Sequence, residues 1–288
     1  MARYTCLSML AFAGHSFVLE SVSDPWGEDD PLVEQCLRGE FDENTSLSYW
    51  LFLASRAKPD ALFVDVGAYG GIYSLLLAQA NPFCKVLALE AASVTYGRLV
   101  RNVILNGAET VVCAAHFAAS DSAGIVEFSH RYGIYSMCPG DSTLTNSEVD
   151  HVESVFTLAL DNIQDIEKDL PGALGSRSLG IKSFSEVAAI KIDVEGAELK
   201  VLQGAQSILM RQRPVVLCEV LTEDALAAVE HYVGQFDYLV ARVPSERNAL
   251  LIPKSEEHSL KQEFEVWSAT KAGLLTMKAQ RKWLHLVG

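Results

Sequence analysis

The strongest constraint on the fold is the stretch Ala61-Leu-Phe-Val-Asp-Val-Gly-Ala-Tyr-Gly-Gly-Ile-Tyr-Ser74. An apolar run closing on Asp65 reads as a buried strand, the glycines from Gly67 to Gly71 as a turn, and the residues after them as a helix. A second apolar run, Lys85 to Leu89, ends in the carboxylate Glu90. Two adjacent strands that stop at acidic residues, with a glycine turn between them, build a ligand corner at the carboxyl edge of a parallel sheet.

The rest of the chain alternates in the same way. Helices are expected over 47–57, 71–80, 94–106, 197–210 and 223–233. Strands are expected over 61–66, 85–90, 111–118, 124–129, 156–160, 188–193, 214–220, 238–242 and 248–252. Gly, Ser, Thr, Pro and Tyr dominate 130–148, which reads as a loop over the site, and 171–183 reads as a Gly/Ser loop. Leu32 to Leu37 suits a short helix, and residues 6–19 suit two short strands about Gly14, although Arg3 before an apolar run also resembles a short leader. This alternation argues an α/β fold with a doubly wound, mostly parallel sheet covered on both faces. The expected division is an N-terminal extension over 1–58 on the lid or substrate side, a ligand-binding domain over 59–255 and a helical tail over 256–288. That tail, with Trp267 and Trp283, can pack on its own chain or across a homodimer.

Right-handed crossovers would gather Asp65, Glu90, Asp121, Asp193 and Glu219 at one sheet edge. A dinucleotide turn would need glycine at position 69, where Tyr69 stands, and Asp65 would repel a pyrophosphate. Asp65 suits instead the cationic end of a methionine moiety, and Glu90 suits both hydroxyls of a ribose. S-adenosylmethionine is a ligand with both features. Ser120 and Asp121 follow the third strand, where an adenine edge would lie, though Ser-Asp is also common turn chemistry. In Ile190-Lys-Ile-Asp-Val-Glu-Gly-Ala-Glu-Leu199, Lys191 and Asp193 share one side of a strand, and Glu195 and Glu198 flank a helix start. Glu219 closes a very apolar strand; it can act as a base with a raised pKa, or pair with Lys191 or Arg213. His130 and His151 border the same region as further base candidates, while Tyr132, Tyr135 and Ser136 offer polar contacts to a substrate.

A net charge of −14 opposes wrapping a nucleic-acid backbone or an anionic membrane, and no apolar run is long enough to span a bilayer. The six cysteines show neither a C-x-x-C pair nor zinc spacing, which fits buried thiols in a reducing cytoplasm and no required metal.

The chain resembles the FkbM family of S-adenosylmethionine-dependent methyltransferases. The resemblance rests on Phe63 to Leu75, Leu89-Glu-Ala91, Ala118-Ala-Ser-Asp121, Ile190 to Ala205 and Pro214 to Glu219, and covers about residues 60–253. It implies the class I methyltransferase fold, Rossmann-like, with seven strands and the last antiparallel. It implies cofactor contacts from Asp65, Gly67, Ala68, Tyr69, Gly71, Glu90, Ala91, Ser120, Asp121 and Asp193. It also implies transfer of a methyl group to a hydroxyl of a small-molecule natural product or sugar. Asp193, Glu195 and Glu219 are the candidates for handling the proton or orienting the acceptor. Asp193 is also able to hold an optional divalent cation. N-methylation, a non-catalytic binding protein and a nicotinamide oxidoreductase stand as alternatives. The chain departs from the family pattern at Tyr69, where Asn is usual, and at Gly70, where an apolar residue is usual.

Overall fold

The computed structural model describes residues 4–23, 28–131, 135–137, 151–165 and 186–285. Its strands are β1 Tyr4–Phe12, β2 His15–Glu20, β3 Val22–Ser23, β4 Glu28–Asp29, β5 Leu62–Val66, β6 Lys85–Leu89, β7 Val112–Ala115 and β8 Ala118–Ala119. These are followed by β9 Gly124–Arg131, β10 Tyr135–Met137, β11 His151–Leu158, β12 Val187–Ile192, β13 Val215–Glu219, β14 Tyr238–Arg242, β15 Asn248–Pro253 and β16 Lys278–His285. The helices are α1 Pro31–Arg38, α2 Asn44–Arg56, α3 Ile72–Ala80, α4 Ser93–Leu105, α5 Glu198–Gln203, α6 Gln206–Arg211, α7 Glu223–Gly234 and α8 Glu257–Thr270.

Seven strands form the central sheet in the order β14-β15-β13-β12-β5-β6-β7. All pairings from β13 to β7 are parallel, and β15 runs antiparallel to both its neighbours. The order reverses between β5 and β12, so their carboxyl ends part and leave a crevice. Period-two alternation divides the core between the faces. Leu62, Val64 and Val66 face the α5–α7 side with Ile190, Ile192, Val201 and Leu202. Phe63 faces the α2–α3 side with Ala189, Leu217, Trp50 and Leu76. Asp65, Lys191 and Glu219 continue the alternation of Phe63, Ala189 and Leu217, so the sheet carries all three on the α2–α3 side.

Some expected elements take other forms. The run 111–118 divides into β7 and β8, because the chain turns at His116 and Phe117, with Phe117 N–H donating to Ala115 O. β8 joins a second sheet ordered β10-β9-β11-β8, so the expected 130–148 loop is partly strand and the strand at 156–160 starts at His151. The helix expected over 197–210 breaks at Gly204, where an added Cβ would lie 1.9 Å from Ser120 O. The tail is helical over α8, but after Gly273, at φ 78°, it becomes β16 and pairs antiparallel with β1. Only that pairing, across the whole chain, makes 278–285 a strand. The loop expected at 171–183 lies outside the described residues. Cys36, Cys84, Cys113 and Cys218 are buried, and among the described residues no helix is long and apolar enough to cross a membrane.

Candidate active site

A pocket of about 280 Å³ opens at the carboxyl ends of β5, β6, β12 and β13. Gly67 forms part of its floor. Its φ is +75°, and a Cβ there would lie 1.8 Å from Asp193 O, so the turn after β5 closes against the turn after β12 only with glycine. Gly71, at φ +91°, also lies close under Leu99, where a Cβ would come within 2.7 Å of its Cδ1, but it does not line the pocket. Ala68 is buried behind the wall, its N–H bonded with that of Gly67 to Leu89 O.

Glu90 follows β6 and lines the pocket while only 4% exposed. One carboxylate oxygen accepts the Tyr69 N–H and the other the Ala92 N–H, each at 2.9 Å. Burial pushes its pKa up to about 7, against the pull of those two N–H groups and of Arg98. Ala91, Leu89, Phe117, Ala118 and Ala119 add an apolar wall beside it. Ser120 and Asp121 do not line the pocket; they hydrogen-bond to each other at 3.2 Å, and the preceding residues supply the wall instead.

Asp65 lies beneath the pocket rather than in it. It is fully buried, accepts the Ser74 hydroxyl at 2.6 Å, and its other oxygen has no partner. Burial raises its pKa, while Lys191, its register partner on β12, and Ser74 oppose the rise. Lys191 Nζ donates to Asp193 at 2.8 Å and lies over the Tyr73 ring at 4.8 Å. Burial disfavours its charge, but Asp193, Asp65 and Glu43 outweigh that and hold the ammonium protonated. Lys191 is therefore the counter-ion that lets so many carboxylates meet under one edge.

Asp193, Glu195 and Glu219 converge in the pocket, with one carboxylate oxygen from each within 4.8 Å of the others. Glu195 is held at φ 54° by the sharp turn before α5, a conformation uncommon outside glycine. Burial, then Asp193 and Glu198, push its pKa up to about 7. Glu219 rises to about 9 through burial and the adjacent Asp193, and its Oε2 is shut from solvent with no donor in reach. His151 belongs to β11, whose register sets it opposite His130 of β9, and the side chains of both lie outside the described residues. Tyr132 lies outside the described residues; Tyr135 and Ser136 are described only as backbone of β10, so the side-chain contacts expected of all three fall outside too.

The pocket's other side falls partly to the N-terminal extension, as expected of a lid or substrate side, but the residues that form it were not singled out in the sequence. Pro31, Leu32 and Gln35 of α1, with Asp42 and Glu43, close it from the N-terminal segment, and Glu246, Arg247 and Asn248 from the β14–β15 turn. Tyr69 couples the first group to the glycine turn. Its hydroxyl donates to Asp30 at 2.8 Å, Asp30 caps α1 through the Val33 N–H, and Arg98 pairs with Asp30 while stacking on the Tyr69 ring. Tyr69, one of the two positions that depart from the family turn, is thus an anchor for α1. The signal available was Asp30-Pro31, a cap followed by proline at the first helical position.

A family model described as "Methyltransferase FkbM domain" matches residues 65–240. Methyltransferase sdnD of Sordaria araneosa is 33% identical over 159 residues, covering 49% of this chain and 59% of that protein. Methyltransferase 1 of Beauveria bassiana is 30% identical over 154 residues, covering 50% of this chain and 58% of that protein. The chain thus spans less than two thirds of the length of these relatives. The crystal structure of methyltransferase FkbM from Methylobacillus flagellatus is similar with a TM-score of 0.45 at 17% identity, over 68% of this chain and 44% of that one.

Proposed function

Since this chain belongs to the FkbM methyltransferase family, we propose that its pocket binds S-adenosylmethionine and methylates a hydroxyl oxygen of a small molecule. The observation that carries this reading is the charge of the lining. Asp42, Glu43, Glu90, Asp193, Glu195, Glu219 and Glu246 face the pocket, and among the described residues Arg247 is the one cation that lines it. Such a lining suits a sulfonium and an ammonium and repels a pyrophosphate, which disfavours a nicotinamide cofactor.

The residues fit the cofactor. Glu90 keeps a lone pair on each oxygen beyond its backbone bonds, enough to accept from two ribose hydroxyls. Leu89, Phe117 and Ala118 offer an apolar surface to a base, and Gly67 allows the close backbone approach beside the Asp193 carboxylate. Bound there, S-adenosylmethionine would supply a methyl carbon already activated by its sulfonium. The chain's own work is then to orient the acceptor and take its proton. Glu195, with a pKa of about 7, is part ionised at neutral pH and matched to accept a hydroxyl proton. Glu219, at about 9, keeps its own proton at neutral pH in the free pocket and serves to orient the acceptor rather than to act as the base. Asp193 is held in place by the Lys191 hydrogen bond.

Thermal unfolding with added ligand tests this reading. S-adenosylhomocysteine at about 100 times its Kd should stabilise the fold by about 2.7 kcal/mol, and NAD+ at the same concentration should leave the midpoint unchanged. Stabilisation by NAD+ alone would overturn it.

A further inference from the structure

The acceptor's chemical class can be drawn from the same pocket, resting on the reading above. Asn248 stands directly opposite Glu219 in the antiparallel β13–β15 ladder, so the two side chains leave the same face of the sheet side by side. Asn248 lines the pocket and is 3% exposed, yet among the described residues its side-chain amide has no hydrogen-bond partner. An amide that opens on the pocket with no protein partner is available to a group on a ligand. Glu219 Oε2 is likewise closed off and lacks a donor, and the Glu195 carboxylate makes no hydrogen bond to the described residues. With Asp193, four acceptor groups therefore meet in one corner, and the protein supplies a single ammonium there, Lys191 on Asp193. Arg247 is exposed at the rim.

We propose that the acceptor carries a protonated amine, seated on Glu219, Asp193 and Asn248, with its reacting hydroxyl beside Glu195. An ammonium brings three donors, one each for Glu219, Asp193 and Asn248, and leaves Glu195 to the hydroxyl. A neutral polyol would leave the carboxylate repulsion unrelieved, and an anion would add to it. A divalent metal ion would also suit carboxylate and amide oxygens, but Lys191 at 2.8 Å from Asp193 opposes a double charge at that carboxylate more than a single one. The raised pKa values of Glu195 and Glu219 agree: the corner takes up protons for want of another cation.

The test is calorimetric titration at pH 7, on protein with and without saturating S-adenosylhomocysteine. Matched probes are ethanolamine against ethylene glycol, tyramine against tyrosol and glucosamine against glucose, with Mg2+ and Ca2+ in separate runs. At least one amine should bind about tenfold or more tightly than its neutral partner, the size of one charge-assisted hydrogen bond. Its heat should depend on the buffer's ionisation enthalpy, because protons leave the carboxylates. Glu219→Gln should abolish the preference and the proton release. Asn248→Ala, checked for folding by urea unfolding, should weaken the amine about tenfold. Equal or tighter binding of every neutral partner would overturn the proposal, as would a divalent ion taken up stoichiometrically in wild type, lost in Glu219→Gln and excluding the amines. Heat from S-adenosylhomocysteine itself separates the two readings: if it binds and no amine is preferred, the cofactor reading stands and this one falls. If it does not bind, the cofactor reading falls and the titration without it still decides this one.

Discussion

Gly67 is the residue on which the pocket's geometry turns. Gly67→Ala would set a methyl group 1.8 Å from Asp193 O at a φ of +75°, so the turns after β5 and β12 must part. Urea unfolding should show a loss of about 2–4 kcal/mol, with pocket-ligand binding lost as well. The carboxylates make a second expectation. Glu219 has a folded pKa of about 9 against an ordinary 4.5, so the stability its neutral form contributes is complete below 4.5 and is lost as pH rises toward 9. Between pH 7 and 9 the stability of Glu219→Gln should therefore fall less steeply than that of wild type. Glu195 acts in the opposite sense on rate: a base must be ionised, so methyl transfer should rise with pH through about 7. Glu195→Gln should remove that limb and slow transfer about 100-fold or more. At this scale the sequence was readable where chemistry and strand ends coincide, as at Glu90, Asp193, Glu195 and Glu219. Asp65 read as a pocket residue because a strand-end carboxylate normally faces outward. Here Ser74 and Lys191 take it inward, and only the register of β5 with β12 reveals that.

The element that sequence periodicity placed but could not dock is α1. Its cap, Asp30, is bound by Tyr69 and Arg98 at sequence separations of 39 and 68 residues. Local pattern carries no information about partners so distant, whereas strands and helices were legible because burial imposes a period on neighbouring residues. The break between α5 and α6 was hidden for a similar reason: Gly204 is needed for the approach of Ser120 O, a contact from a segment far away in the sequence. Tyr69→Phe removes one hydrogen bond and leaves the Asp30–Arg98 pair. Hydrogen exchange should then quicken in 31–38 while the central sheet keeps its protection. Arg98→Ala leaves the 3%-exposed side chain of Asp30 without its counter-charge and should cost about 3–5 kcal/mol in urea unfolding. Unchanged exchange in α1 for both variants would mean that this clamp does not hold the helix.

Across the whole molecule, both ends of the chain meet in one sheet. β16 pairs with β1 and β1 with β2, and the Asn102 and Asn106 side chains accept from the Glu20 and Val18 N–H groups, which ties that sheet to α4. Asn102 also donates to Gly70 O, so the terminal sheet reaches the glycine turn itself. Removing 278–288 would unpair one edge of β1 and should lower the unfolding midpoint without abolishing the central sheet, as read by circular dichroism. The parallel sheet and the gathering of its strand ends at one edge were legible from alternation and crossover handedness, but its strand order and the pairing of β1 with β16 were not. The whole arrangement serves one claim, that Glu90 and the acidic crevice hold S-adenosylmethionine. Calorimetric titration of wild type and Glu90→Ala with S-adenosylhomocysteine tests it most directly. Micromolar binding by wild type, weakened about tenfold to a hundredfold in the variant, is the predicted result. Binding that is absent from folded wild type, or unchanged in Glu90→Ala, would contradict it.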